Sequence, residues 1–319
     1  MKFRRLLALI AGILPASLIA VIGFLAIYSW PALRFNGWRF VVGTTWNLGN
    51  TYGNPIVRDG VTMLPGAQYG ILVLIVGTVL STVIALALAV PTGVGAAIFL
   101  AEAVPGRMRL WLSFLVELLA AVPSVVFGLW GYAVLIPLLG QHVFPVMEKV
   151  LGFIPIFAGP TGSGYGLLTA GVVLSLMIVP LIAATLRDAI LAEPMVLREA
   201  AAALGATRFE TVWKVVLPGV RKILIGATIL ATGRALGETM AVLMVSGNAL
   251  NYLPPNIYSP ISTMAAFIVS QLDSALQDPT GLAVRSLAEV ALVLSMISVA
   301  VNAVARFVLY RSGLKGARV

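Results

Sequence analysis

Arg234 and Glu238 stand four residues apart inside the apolar run TILATGRALGETMAVLMV. On a continuous helix that spacing makes them neighbours on one face. Counted from Ile223, Arg234 lies roughly 16 Å inward at 1.5 Å per residue, near the middle of a ~30 Å hydrocarbon layer. A charge at that depth costs about 2.5–3.5 kcal/mol on insertion scales, so it marks a functional candidate. A guanidinium presents a planar fork of donors that matches phosphate-type oxyanions. Glu238 would hold Arg234, offset its charge and keep an anion from binding too tightly to leave. Gly233 and Gly237 allow close approach beside them, and Thr232 and Thr239 add hydroxyls. The competing chemistry is a self-neutralising salt bridge that ties helices together.

Glu117, Ser124 and Glu289 are further candidates for the pathway or its gating. Glu117 precedes Pro123, where a helix loses a backbone bond, and is expected as a protonated carboxyl bonded to a neighbouring helix. Glu289 falls in the outer third of its apolar run and is expected to reach interfacial water. His142 reads as a solvated side chain in an outer loop.

These residues need helices long enough to cross a membrane, and the composition supplies them. Of 319 residues, 60% are hydrophobic and 10% charged, far from the roughly 25% charge of a soluble domain. With no cysteine, disulfides, thiol nucleophiles and Cys-ligated metal sites are excluded, and the single histidine leaves almost no material for a His-based one. Six runs satisfy the ~20-residue rule: approximately 6–29, 69–100, 110–139, 164–187, 219–246 and 285–308. The first is too long for a signal-peptide core and reads as a retained span. Pro91 is expected to kink or end the second. The expectation is an all-α integral membrane protein of six transmembrane helices, with a first helix and outer loop over 1–68 and a core over 69–319.

An even number of spans puts both termini on one side. Fifteen Lys and Arg then fall on the terminal side against five opposite, with Arg234 inside a span. The bias places the termini in the cytoplasm and accounts for the net charge of +9 without nucleic acid. Three outer loops follow, roughly 30–68, 140–163 and 247–284. Their aromatics Trp30, Trp38, Trp46, Tyr52, Tyr252 and Tyr258 read as an interfacial belt or a docking surface.

The connection from Arg187 to Lys222, RDAILAEPMVLREAAAALGATRFETVWKVVLPGVRK, is too long and too helical for a simple inner turn. Gly205 breaks an Ala-rich helix, and Thr207 with Glu210 has capping-box spacing for a second. Phe209, Val212, Trp213 and Val216 recur as one apolar face, and Pro218 is expected to end the motif. Such a helix either lies in the membrane interface or inserts into a groove on a partner.

Glu199-Ala200-Ala201, three residues, Gly205, nine residues, then Val215-Val216-Leu217-Pro218 resembles the EAA loop of bacterial ABC importer permeases, with Val215 at the usual Ile position. The resemblance implies the type I importer permease (MetI-like) fold. It also implies a coupling loop, carried by Glu199, Ala200, Ala201, Gly205, Phe209, Trp213, Leu217 and Pro218, that docks on an ATP-binding subunit. No Lys here is followed by Ser or Thr, so the chain has no phosphate-binding P-loop of its own. The segment Gly233–Val242 resembles the fifth-span signature of phosphate-specific ABC permeases. Glu117–Ser124, Pro180, Arg187-Asp188 and Glu289 resemble the PstC type in particular.

That resemblance implies a transport subunit without enzymatic activity and without cofactor or metal, since ATP and Mg belong to the partner ATPase. It implies a heterotetramer with a homologous PstA-type permease and two PstB-type ATP-binding subunits, served by an extracytoplasmic PstS-type phosphate-binding protein. Phosphate would pass Arg234, Glu238 and Thr239 within the lipid-surrounded inner membrane. Sulfate, molybdate or phosphonate would suit one guanidinium equally well. A secondary transporter or channel would not need the long loop and shows no inverted repeat of broken helices. A membrane enzyme would need a nucleophile–base or metal constellation that one His and no Cys make poor.

Overall fold

The computed structural model describes residues 2–58 and 60–311. Helix dominates. Helix α1 (Lys2–Tyr28) leads to the short α2 (Trp30–Asn36) and α3 (Arg39–Val42). Strands β1 (Trp46–Asn47) and β4 (Gln68–Tyr69) pair antiparallel, with Trp46 opposite Tyr69. Between them β2 (Ile56–Arg58) pairs antiparallel with β3 (Val61–Met63). Helix α4 (Leu72–Ile98) carries Pro91 inside it and continues as a π-helical turn over Phe99–Ala103. Then come α5 (Gly106–Ala121), α6 (Ser124–Trp130), α7 (Ile136–Leu138) and α8 (Phe144–Leu151), the last three joined by π-helical turns. They are followed by α9 (Leu167–Ala192), α10 (Met195–Ala203), α11 (Arg208–Thr211), α12 (Leu217–Gly237), α13 (Met240–Val245), α14 (Met264–Leu276) and α15 (Leu282–Arg311).

Six helical stretches among the described residues are long and apolar enough to cross a membrane: Leu9–Tyr28, Leu72–Ala103, Ser124–Leu151, Leu167–Ala192, Arg208–Gly237 and Leu282–Phe307. The third departs from the run expected at 110–139. Val122 and Pro123 are extended, because proline disfavours helical geometry in the residue before it. Helix α5 therefore ends at Ala121, and the span starts at Ser124 and runs on to Leu151. His142 consequently sits in a helical turn of that stretch, not in a loop.

Two compact units divide the chain. The first comprises Met1–Val76, Asn248–Leu253 and Ser262–Val299, the second Gly77–Gly247, Pro254–Ile261 and Ala300–Val319. In the first unit the segments between α1 and α4 and those flanking α14 fold into a core. The Trp46 ring meets Tyr69 edge-on at 4.9 Å and Phe267 at 4.8 Å. The Asn251 side chain binds both backbone polar groups of Trp46, accepting from its N–H at 2.6 Å and donating to its carbonyl at 3.2 Å. Trp46 is thus a core residue rather than a surface aromatic, while Trp38 and Tyr52 are exposed. In the second unit Tyr258 is likewise buried, its ring 4.9 Å from Phe144.

Candidate functional site

Arg234 lies in the last turn of α12 and is exposed. Among the described residues it makes no hydrogen bond or ion pair. It lines a cavity of about 370 Å³ with Leu181, Ile229, Leu230, Gly233 and Asn302. The other walls are largely aliphatic, so Arg234 supplies the positive charge and Asn302 an amide. The internal salt bridge with Glu238 is not made. Helix α12 ends at Gly237, and Glu238 is extended, with φ −70° and ψ 127°. The Glu238 carboxylate turns the other way and accepts from the backbone N–H groups of Thr239 at 3.1 Å and Ala241 at 3.4 Å. It caps the short α13, as a carboxylate does for orphan amides at a helix start. Thr239 Oγ1 donates to the Gly237 carbonyl at 3.2 Å.

Glu117 is bonded to a neighbouring helix as expected, whereas Glu289 departs from the sequence expectation. Glu117, on α5, accepts from Arg187 Nη2 on α9 at 2.9 Å, and Arg187 also binds Asp188 at 2.7 Å. Glu289 does not reach water: it is 1% exposed and accepts from Asn36 Nδ2 at 2.8 Å. That amide also approaches Ser286 Oγ at 3.4 Å. Asn36→Ala strips the buried carboxyl of this donor, at a cost of about 1–3 kcal/mol. A melting temperature several degrees lower is expected for it, with a smaller drop for Glu289→Gln, which keeps an acceptor. Ser124 opens α6, half-buried behind Pro123.

The loop between α9 and α12 carries the second set of candidates. Helix α10 closes in a Schellman turn: the Ala206 N–H donates to the Ala201 carbonyl at 3.0 Å and that of Gly205 to Ala202 at 2.9 Å. Gly205 has φ +81°, and a Cβ there would meet nothing within 4 Å. Its requirement is therefore conformational, and Gly205→Ala should cost about 1–2 kcal/mol. Faster amide hydrogen exchange over residues 201–206 would register it. Thr207 and Glu210 form the capping box, with the Glu210 backbone N–H donating to Thr207 Oγ1 at 3.3 Å and the Thr207 N–H to Glu210 at 3.0 Å.

The expected apolar face of the second helix splits. Phe209 and Trp213 point outward, 70% and 54% exposed, with their rings 5.9 Å apart. Val212 and Val216 turn inward; Val216 joins a cluster with Ala97, Ala101, Leu186, Ala189, Ile190 and Val220. The π-helical turn Val212–Val216 rotates one pair away from the other. Nor does Pro218 end the motif. It lies where the π-helical turn Val212–Val216 passes into α12, and the helix runs on through it, so α11 and the fifth span are one continuous helix. Glu199, Ala200 and Ala201 lie on α10. Ala200, Ala201 and Gly205 border a groove of about 450 Å³, with Glu210 and Lys214 across it.

Residues 93–312 match the family described as binding-protein-dependent transport system inner membrane component. The chain belongs to this family. The phosphate transport system permease protein PstC 1 of Mycobacterium tuberculosis is 48% identical over 278 residues, covering 86% of this chain and 82% of that one. PstC of Pasteurella multocida is 36% identical over 304 residues, covering 94% and 88%. PstC of Haemophilus influenzae is 36% identical over 310 residues, covering 96% and 92%. Among solved structures, a chain from an inward-facing MetNI methionine ABC transporter aligns with TM-score 0.47 and 19% identity, over 74% of this chain and 96% of that one. The six-helix membrane architecture is that of an ABC importer permease, a multi-pass membrane protein.

Asn302, in the wall of the Arg234 cavity, is a residue that sequence reasoning passed over. It is one polar residue in a long apolar helix. Spacing within the chain could not have brought Asn302 beside Gly233, whose added Cβ would lie 3.9 Å from its Nδ2.

Proposed function

We propose that this permease is the membrane subunit of an ATP-driven importer that translocates inorganic phosphate across the bacterial inner membrane. The observation that carries it is the identity of 36–48% over 86–96% of the chain to proteins named as phosphate transport permeases. The fold supplies two devices such a subunit needs. Arg234, without a hydrogen-bond or ion-pair partner among the described residues and opening on a largely aliphatic cavity, supports a transient anion site. A guanidinium already neutralised by a carboxylate would attract phosphate weakly. Glu238, engaged as a cap, holds the helix break beside Arg234 and adds negative charge near the path, which keeps residence short. Thr239 adds a hydroxyl at the break. We place Glu117 and Glu289 in the supporting framework, since each has an internal partner, and Ser124 at the Pro123 turn where a gate would hinge.

The second device is the loop from α10 to α12. Its exposed Phe209 and Trp213 suit insertion into a cleft of a PstB-type ATP-binding subunit. Continuity of α11 with the fifth span through Leu217 and Pro218 gives that subunit a rigid lever leading toward Arg234. ATP and Mg would be bound by the partner, and this chain would act without catalysis or cofactor of its own. A PstA-type permease would complete the pathway, and a PstS-type protein would deliver phosphate to the outer segments. The bias of Lys and Arg supports cytoplasmic termini.

The test is phosphate uptake by cells in which this chain belongs to the sole phosphate importer. Deleting it should abolish growth on limiting phosphate and spare growth on limiting sulfate or molybdate. Loss of sulfate or molybdate uptake instead would assign a different oxyanion.

A further inference from the structure

Arg198 sits at a junction that the coupling scheme leaves without a fastening. Three spans meet beneath the loop through the apolar cluster of Ala97 and Ala101 from the second span, Leu186 and Ile190 from α9, and Val216 and Val220 around the start of α12. Such contacts are non-directional, and small apolar side chains can slide past one another. Helix α10 itself, Met195–Ala203, contributes to the loop groove but lies outside that cluster.

One side chain supplies directed contacts. Arg198 Nη2 donates to Glu102 at 2.8 Å and to the Ile190 carbonyl at 2.8 Å, while Nη1 donates to the Glu193 carbonyl at 3.1 Å and approaches Met195 Sδ at 3.8 Å. Glu102 belongs to the π-helical turn that finishes the second span. Ile190 lies in the last turn of α9 and Glu193 is its cap, its N–H making only a long 3.4 Å bond to the Ile190 carbonyl, so the guanidinium meets carbonyls at a helix C-terminus, where a cation is favoured. The Arg198 side chain is 17% exposed, which limits screening and makes the pair stronger than an open surface ion pair. The Glu193 carboxylate in turn reaches α12, since a Cβ added at Gly219 would meet it at 2.9 Å.

We propose that Arg198 is the positioning residue that locks α10 to the cytoplasmic-type ends of α4 and α9, so that movement of the loop is passed to the spans instead of being absorbed at the Glu193–Pro194 connection. The proposal rests on the reading of this loop as the ATPase docking element. Its planar fork matters, because one guanidinium holds a carboxylate and two carbonyls at fixed angles, which a lysine ammonium cannot do.

The experiment uses the complete complex in proteoliposomes and reads two quantities: ATP hydrolysed per phosphate imported, and the amount of ATPase subunit that co-purifies. Arg198→Gln should keep the ATPase subunit and raise the ATP-to-phosphate ratio about tenfold, within the range of ordinary coupling energies. Arg198→Lys should fall between, and Glu102→Gln should show a smaller rise because both carbonyl bonds survive. A purely structural role would lower assembly and leave the ratio of the remaining complexes unchanged. An unchanged ratio in Arg198→Gln overturns the proposal. If that variant does not assemble, Arg198→Lys decides: a raised ratio supports the lock and an unchanged one overturns it. Wild-type vesicles importing phosphate without ATP would overturn the docking reading, and this proposal with it.

Discussion

Arg234→Gln is expected to lower the initial rate of phosphate uptake roughly 10- to 100-fold while the complex assembles normally. Glutamine keeps a donor but loses the charge and the fork, and a charge-assisted hydrogen bond is worth about 1.5–3 kcal/mol. The expectation of normal assembly follows from the geometry. Arg234 has no hydrogen-bond or ion-pair partner among the described residues and opens on the 370 Å³ cavity, so removing it orphans none of them. A buried structural pair would behave in the opposite way, because breaking it leaves an uncompensated charge and destabilises the protein. Arg234→Lys should retain part of the rate, keeping the charge without the bidentate geometry. Uptake of radiolabelled phosphate, set beside the melting temperature of the purified complex, separates the two accounts.

Truncating the aromatic pair of the loop should have a comparably large effect on a different step. Phe209→Ala and Trp213→Ala each remove an exposed ring from a helix start. Large aromatic anchors at interface centres commonly cost at least 2 kcal/mol on truncation, which corresponds to about 30-fold weaker association. The double substitution should strip the ATPase subunit from the detergent-purified complex. Val216→Ala, two residues before Pro218, should do something else: Val216 is 2% exposed inside the cluster under the loop, so the loss there is stability of the permease itself. Retention of the ATPase subunit by the double variant would remove the docking role from this helix.

Where local signals decide structure, the sequence was an accurate guide. The Thr207–Glu210 spacing gave the capping box, and Gly205 gave the turn, because both depend on residues within a few positions of each other. Span number followed from hydropathy alone. Errors came where one residue redirected a helix. Pro123 moved the third span by more than a helical turn. The extended Glu238 broke a helix that continuous apolar sequence had suggested was whole, and so separated it from Arg234. The π-helical turn at Val212–Val216 divided an apolar stripe that ideal 3.6-residue periodicity would keep together. Burial of Glu289 was invisible for another reason. Its donor, Asn36, lies far away in sequence, and no pattern in the last span points to it. Trp46 shows the same limit, since an aromatic in a polar outer loop reads as surface until Asn251 and Phe267 are seen around it.

The most direct test of the central claim is anion uptake by proteoliposomes holding the complete complex, with its binding protein on the outer side and ATP supplied to the ATPase side. The account predicts phosphate uptake that requires ATP, is unaffected by excess sulfate or molybdate, and collapses in Arg234→Gln. Uptake that proceeds without ATP, or that sulfate or molybdate abolishes, would contradict it.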